Sequence, residues 1–129
     1  MKTIICAILA AVVSVSLGEV EPVTVEEAAT KLEKDPKVVV VDLRTPKEFQ
    51  GGHIEGAVNI DFTAKDFEKE LAKLDREKTY LMHCLSGGRS SASVSVWERL
   101  GFKNVFHLGA GSMGWKKAGQ PMVKPKKKK

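Results

Sequence analysis

The chain has almost no cysteine. Of its 129 residues only Cys6 and Cys84 carry a thiol, and Cys6 lies in an apolar segment at the extreme N-terminus. Once that segment is set aside a single cysteine remains, which excludes an intramolecular disulfide framework. Metal-ligand spacing is lacking too. His53, His83, His107 and the cysteines show none of the patterns that hold an ion, so neither a metal nor another cofactor is expected. There are no internal repeats, and the terminal lysines are the only low-complexity run. Net charge is missing from the body of the chain. The formal net charge is +5 and residues 124–129 alone hold five lysines, so the rest sums to zero. A neutral body with a basic tail argues against a general nucleic-acid binder.

What is present suits one domain with a core of useful size: 43% hydrophobic and 29% charged residues. Residues 1–18 read as a signal peptide. Lys2 supplies a positive start, Ile4 to Leu17 is almost wholly apolar, and Ser16-Leu17-Gly18 offers small residues before a cleavage point. The run is too short to span a bilayer comfortably. The expectation is an exported, periplasmic protein, with an uncleaved anchor as the alternative. Residues 19–123 then form the domain and 124–129 a lysine-rich tail. The simplest role for the tail is solubilisation; attachment to anionic lipid or another polyanion is the sharper alternative.

Along the domain, strand and helix signals alternate. Val20 to Val25 is a short strand candidate. Thr24-Val25-Glu26-Glu27 and Thr45-Pro46-Lys47-Glu48 are both capping boxes, the second with proline at the first helical position. Val38 to Val41 is an unbroken β-branched run, the mark of a strand covered on both faces. Gly51 to Gly56 is a turn and Ala57 to Ile60 a brief strand. Phe67, Leu71 and Leu74 space a helix over 63–74. Thr79 to His83 is a buried strand, Asn104 to Leu108 another, and Ser112 opens a short helix. Such alternation predicts an α/β layer fold with a mostly parallel sheet and a crevice beyond its strand ends.

The stretch that organises the rest is Cys84-Leu85-Ser86-Gly87-Gly88-Arg89, between the Thr79–His83 strand and a helix for which Ser90 is the expected N-cap. Backbone N–H groups at a helix N-terminus favour an anion. The same field turns a thiol toward reactive thiolate, and Arg89 adds fixed positive charge.

Three stretches in order resemble a single-domain rhodanese, a rhodanese-like sulfurtransferase. Asp42-Leu43-Arg44, Glu48-Phe49 and Gly52 to Ile60 resemble that family's first motif; Cys84 to Arg89 matches its Cys-x-x-Gly-x-Arg loop; and Leu108 to Trp115, with Ala118 to Pro121, resembles its closing motif. Ala110 and Gly114 depart slightly from the family pattern. The resemblance covers about residues 22 to 123. It implies a three-layer fold with a central five-stranded, mostly parallel sheet and helices on both faces. It also implies a persulfide carried on Cys84 between a small sulfur donor, such as thiosulfate or a persulfide, and a thiol or cyanide acceptor. The donor could also be another protein.

On this reading Cys84 is the catalytic nucleophile, and Leu85, Ser86, Gly87, Gly88 and Arg89 form a substrate-binding ring of amides. Arg89 is expected to turn inward and tie the loop to backbone carbonyls. Asp42, Arg44, Glu48 and His53 are expected to form structural support as a polar network and turn. His83, His107, Trp97 and Trp115 read as core, and the protein as a monomer. Two rivals stand beside this one: a non-catalytic binding module of the same fold, and a cysteine phosphatase or arsenate reductase. The second needs one more residue between cysteine and arginine, and an acid to protonate its leaving oxygen.

Overall fold

The computed structural model describes residues 18–125. The expected signal peptide and the end of the lysine tail therefore lie almost wholly outside the described residues. Among the described residues five strands are found, β1 (Val20–Val23), β2 (Val39–Asp42), β3 (Val58–Asn59), β4 (Thr79–His83) and β5 (Asn104–Leu108). They form one sheet in the order β1-β5-β4-β2-β3, and every pairing is parallel. The helices are α1 (Val25–Lys34), α2 (Pro46–Gln50), α3 (Phe67–Leu71), α4 (Gly88–Arg99) and α5 (Gly111–Lys117).

Side-chain alternation along the central strands builds a core on each face. Val41, Tyr80 and Met82 point one way, toward Phe67 and Leu71 of α3 and Trp97 of α4. Val40 and Leu81 point the other way, toward Ala28 of α1 and Trp115 of α5. Burial on both faces is why the valine run reads as continuous rather than alternating. Tyr80, Trp97 and Phe102 pack edge to face or tilted, with ring centroids 4.8–5.8 Å apart.

Both capping boxes form. Thr24 and Glu27 exchange bonds at the start of α1, and Thr45 and Glu48 do so at α2. The helix expected over 63–74 is shorter, only Phe67–Leu71. Asp61 explains the late start: its carboxylate accepts from the N–H and hydroxyl of Thr63, closing a turn that competes with helix.

The chain leaves β2 toward β3 but leaves β4 toward β5, so its direction across the sheet reverses between β2 and β4. A crevice opens at the carboxyl ends of strands at such a point. The loop after β4 and the Asp42–Arg44 segment after β2 meet there. No helix of the described residues is long and apolar enough to cross a membrane.

Candidate active site

Cys84 follows β4 directly, and its side chain is 1% exposed. The loop curls back over the sulfur through Gly87, whose φ of 101° lies in the left-handed region. A Cβ at this position would stand 2.4 Å from the carbonyl oxygen of Gly109, so the curl also needs the missing side chain. The Gly87 N–H donates to Cys84 Sγ at 3.1 Å and the Ser90 N–H at 3.4 Å. Of the ring expected from Leu85 to Arg89, Gly87 makes the direct bond and the Ser86 amide adds a lesser contribution to the thiolate; the Ser90 amide is one residue beyond the expected set.

Ser90 differs from its sequence reading. Helix α4 starts at Gly88 with Gly87 as its cap, which places Ser90 inside the first turn instead of before it. There it is fully buried, its hydroxyl 3.2 Å from Cys84 Sγ. Ser112 likewise lies within α5, whose N-cap is Ala110. Burial pushes the Cys84 thiol pKa up, but the Ser90 hydroxyl and the Ser90, Gly87 and Ser86 amides outweigh it, and the net shift is downward. The loop therefore favours thiolate.

Behind Ser90 stands His107 of β5, with Nε2 2.7 Å from Ser90 Oγ. Burial lowers its pKa, and the neighbouring His83 acts in the same direction. His83 is fully buried, and its Nδ1–H donates to the Cys84 carbonyl at 2.8 Å. Its pKa is lowered by burial, against the pull of Asp42, so the ring is neutral.

Instead of turning inward to backbone carbonyls, as expected, Arg89 pairs with a carboxylate at the domain surface. Its Nη1 and Nη2 donate to the two carboxylate oxygens of Glu48 at 2.7 and 3.0 Å. This bidentate contact ties the loop to α2. It draws Glu48 out of the network expected with Asp42 and Arg44. Those two form their own pair: Arg44 Nε and Nη2 reach Asp42 at 2.8–3.2 Å, and Nη2 also reaches the Gly52 carbonyl. His53 stacks on Phe49 with centroids 3.8 Å apart and donates to the Phe49 carbonyl. Its backbone pairs with Val123 through N–H···O bonds of 2.8 and 2.7 Å.

That last contact brings the C-terminal segment to the site, assisted by Trp115 Nε1–H, which donates to the Pro121 carbonyl. A groove of about 510 Å³ results beside the loop, with Leu85, Met113 and Met122 as apolar lining and Lys116, Lys124 and Arg44 as cations. Its size is that of a small-molecule site. Sequence reasoning missed this wall, and it missed Ser90 and His107. Only the position of Ser90 immediately after the Cys-to-Arg loop could have pointed to it.

A rhodanese-like domain profile matches residues 24–118. The putative sulfurtransferase YtwF of Bacillus subtilis is 29% identical over 103 residues, covering 80% of this chain and 97% of that protein. The tRNA uridine(34) hydroxylase of Pelagibacter ubique is 35% identical over 88 residues, covering 67% of this chain but 29% of that protein. The first curated relatives are also longer, and the chain spans only 25% of their length. A solved rhodanese-related protein from Thermoplasma volcanium superposes with a TM-score of 0.70 at 26% identity, over 80% of this chain and 97% of that one. With the cysteine loop, the parallel sheet and these matches in hand, the chain belongs to the rhodanese-like domain family.

Proposed function

We propose that this domain is a sulfurtransferase that carries sulfane sulfur on Cys84. The observation that carries the reading is the bonding at Cys84 Sγ: two amides and one hydroxyl converge on a buried sulfur, and the next residue, Leu85, lines a groove that carries Lys116 and Lys124. Such donors stabilise a thiolate and then the persulfide anion that replaces it. With thiosulfate, the thiolate attacks the outer sulfur and forms a new S–S bond. The thiosulfate S–S bond breaks and sulfite departs with the electron pair. Cyanide or a thiolate acceptor then attacks the terminal sulfur and returns Cys84 to thiolate. An organic persulfide enters the same cycle and leaves as its thiol.

The phosphatase alternative is disfavoured by Arg89, since its guanidinium is engaged by Glu48 at 2.7 and 3.0 Å. The binding-module alternative predicts no sulfur uptake. Intact mass before and after a sulfane donor, with and without cyanide, separates the two. A gain of one sulfur atom that cyanide removes, and that Cys84→Ser abolishes, is expected. No uptake from thiosulfate or from an organic persulfide refutes the assignment. For residues 1–18 we retain export, and the same spectrum reads whether they have been removed.

A further inference from the structure

Ser90 Oγ has one hydrogen and three neighbours: His107 Nε2 at 2.7 Å, Cys84 Sγ at 3.2 Å and the Gly87 carbonyl at 3.2 Å. The Gly87 oxygen can only accept; it holds the Ser91 N–H at 2.9 Å and has a second lone pair with which it competes with the sulfur for the Ser90 hydrogen. For the other pair two arrangements decide whether that hydrogen is available. If Ser90 gives its hydrogen to Nε2, the sulfur must be the donor to Oγ and is held as thiol. If instead Nε2–H donates to Oγ, the hydroxyl hydrogen is free to face the sulfur, which is held as thiolate. The state of the imidazole therefore decides whether the hydroxyl hydrogen is available to the sulfur at all.

We infer that His107 is a positioning residue for the reactive thiolate, acting only through Ser90: its neutral Nε2–H tautomer donates to Ser90 Oγ and aims the hydroxyl hydrogen at Cys84 Sγ. The inference rests on Cys84 being the working nucleophile. The thiol proton leaves to water and His107 takes none. Burial opposes an imidazolium here, and the neighbouring His83 of β4 acts in the same direction. The charges nearest the trio are themselves paired: Arg89 of α4 with Glu48 of α2, and Asp42 with Arg44 after β2. Across the sheet from His107 the β1 partner is Pro22, which carries no charge. The pair thus supplies the sulfur with a donor from the buried side, while the amides of Gly87 and Ser90 bind it from the loop.

The test follows alkylation of Cys84 by iodoacetamide across the acid-to-alkaline range, with reduced protein and no sulfur donor present. A failure here is then separate from a failure of sulfur transfer. Ser90→Ala removes a hydrogen bond to an anion and is expected to raise the apparent thiol pKa by about one unit, slowing alkylation about tenfold below it. His107→Leu is expected to give about half that shift. His107→Gln, which keeps an N–H donor at the Nε2 position, is expected to stay near wild type. Ser90→Ala combined with His107→Leu should match Ser90→Ala alone, because the histidine acts only through the hydroxyl. An unchanged profile in His107→Leu, or additive shifts in the double variant, overturns the inference. Should His107→Leu fail to fold, His107→Asn replaces it, its shorter amide stopping short of Ser90. A wild-type profile in His107→Asn is likewise refuting.

Discussion

Neutralising Glu48 tests how the active loop is fastened to the rest of the domain. Its carboxyl is pulled from the usual 4.5 to about 2, chiefly by the side-chain bond from Arg89, against burial and with help from Thr45. At about 1.4 kcal/mol per pKa unit, the shift corresponds to about 3 kcal/mol. The two side chains are 25% and 29% exposed, so solvent screens part of this, and about 1–2 kcal/mol is the expected contribution. Glu48→Gln keeps an oxygen for the Thr45 N–H, now 3.1 Å from Oε1, so the helix cap survives while the charge goes. Glu48 ionises more readily in the folded chain than in the unfolded one. Its contribution is therefore complete above about 4.5 and fades as the pH falls toward about 2. Urea unfolding at neutral pH should show the variant less stable by about 1–2 kcal/mol, or about 5–10 °C in Tm for a domain of this size. At about pH 3 the gap should shrink to less than half. An equal gap at both pH values would refute the electrostatic account, as would a neutral-pH loss that persists when Arg89→Met is already present.

Two other outcomes follow from the geometry. Gly87→Ala combines a strained φ of 101° with a Cβ 2.4 Å from the Gly109 carbonyl, so the Gly87 N–H must leave the sulfur. Persulfide formation should fall at least about tenfold, with a stability cost of about 1–3 kcal/mol, read by stopped-flow and thermal melting. Lys116→Glu reverses a charge at the groove and should raise KM for thiosulfate about three- to tenfold with kcat little changed. The effect should shrink in high salt, and a KM insensitive to both charge and salt would rule out anion guidance by this wall.

Much of the fold was legible because its signals are local. The Val38–Val41 run, the two Thr-x-x-Glu boxes and the Cys-to-Arg loop each declare their role within a few residues. A mostly parallel α/β sheet follows from them, and the family resemblance adds the five strands and the helices on both faces that are found. The α3 region misled because apolar spacing at Phe67, Leu71 and Leu74 serves packing on the sheet without requiring continuous helix, and Asp61 ends the competition with a turn. Ser90 was misread because serine before a helical stretch is normally a cap; here Gly87 takes the cap and the hydroxyl is turned to the sulfur. Arg89–Glu48 and His107–Ser90 are contacts between residues far apart in sequence, and Leu85 and Met122 line one groove from distant parts of the chain. No local pattern announces them, since they exist only once the sheet has placed its strand ends side by side.

The pairing of the first strand with the last has a consequence for the order of events during synthesis. Val20 lies beside Val105, and β5 sits between β1 and the rest of the sheet. An emerging chain has nothing to lay β1 against until nearly the whole domain has been made. The long loop that this contact closes makes its formation slow relative to neighbouring pairs. The strap bearing Val123 docks on His53 later still, so the groove gains its outer wall as the final act of assembly. A nascent chain thus holds Cys84 outside a finished site until the last residues of the domain have been made. Completion of the domain and acquisition of a sheltered cysteine become nearly one event.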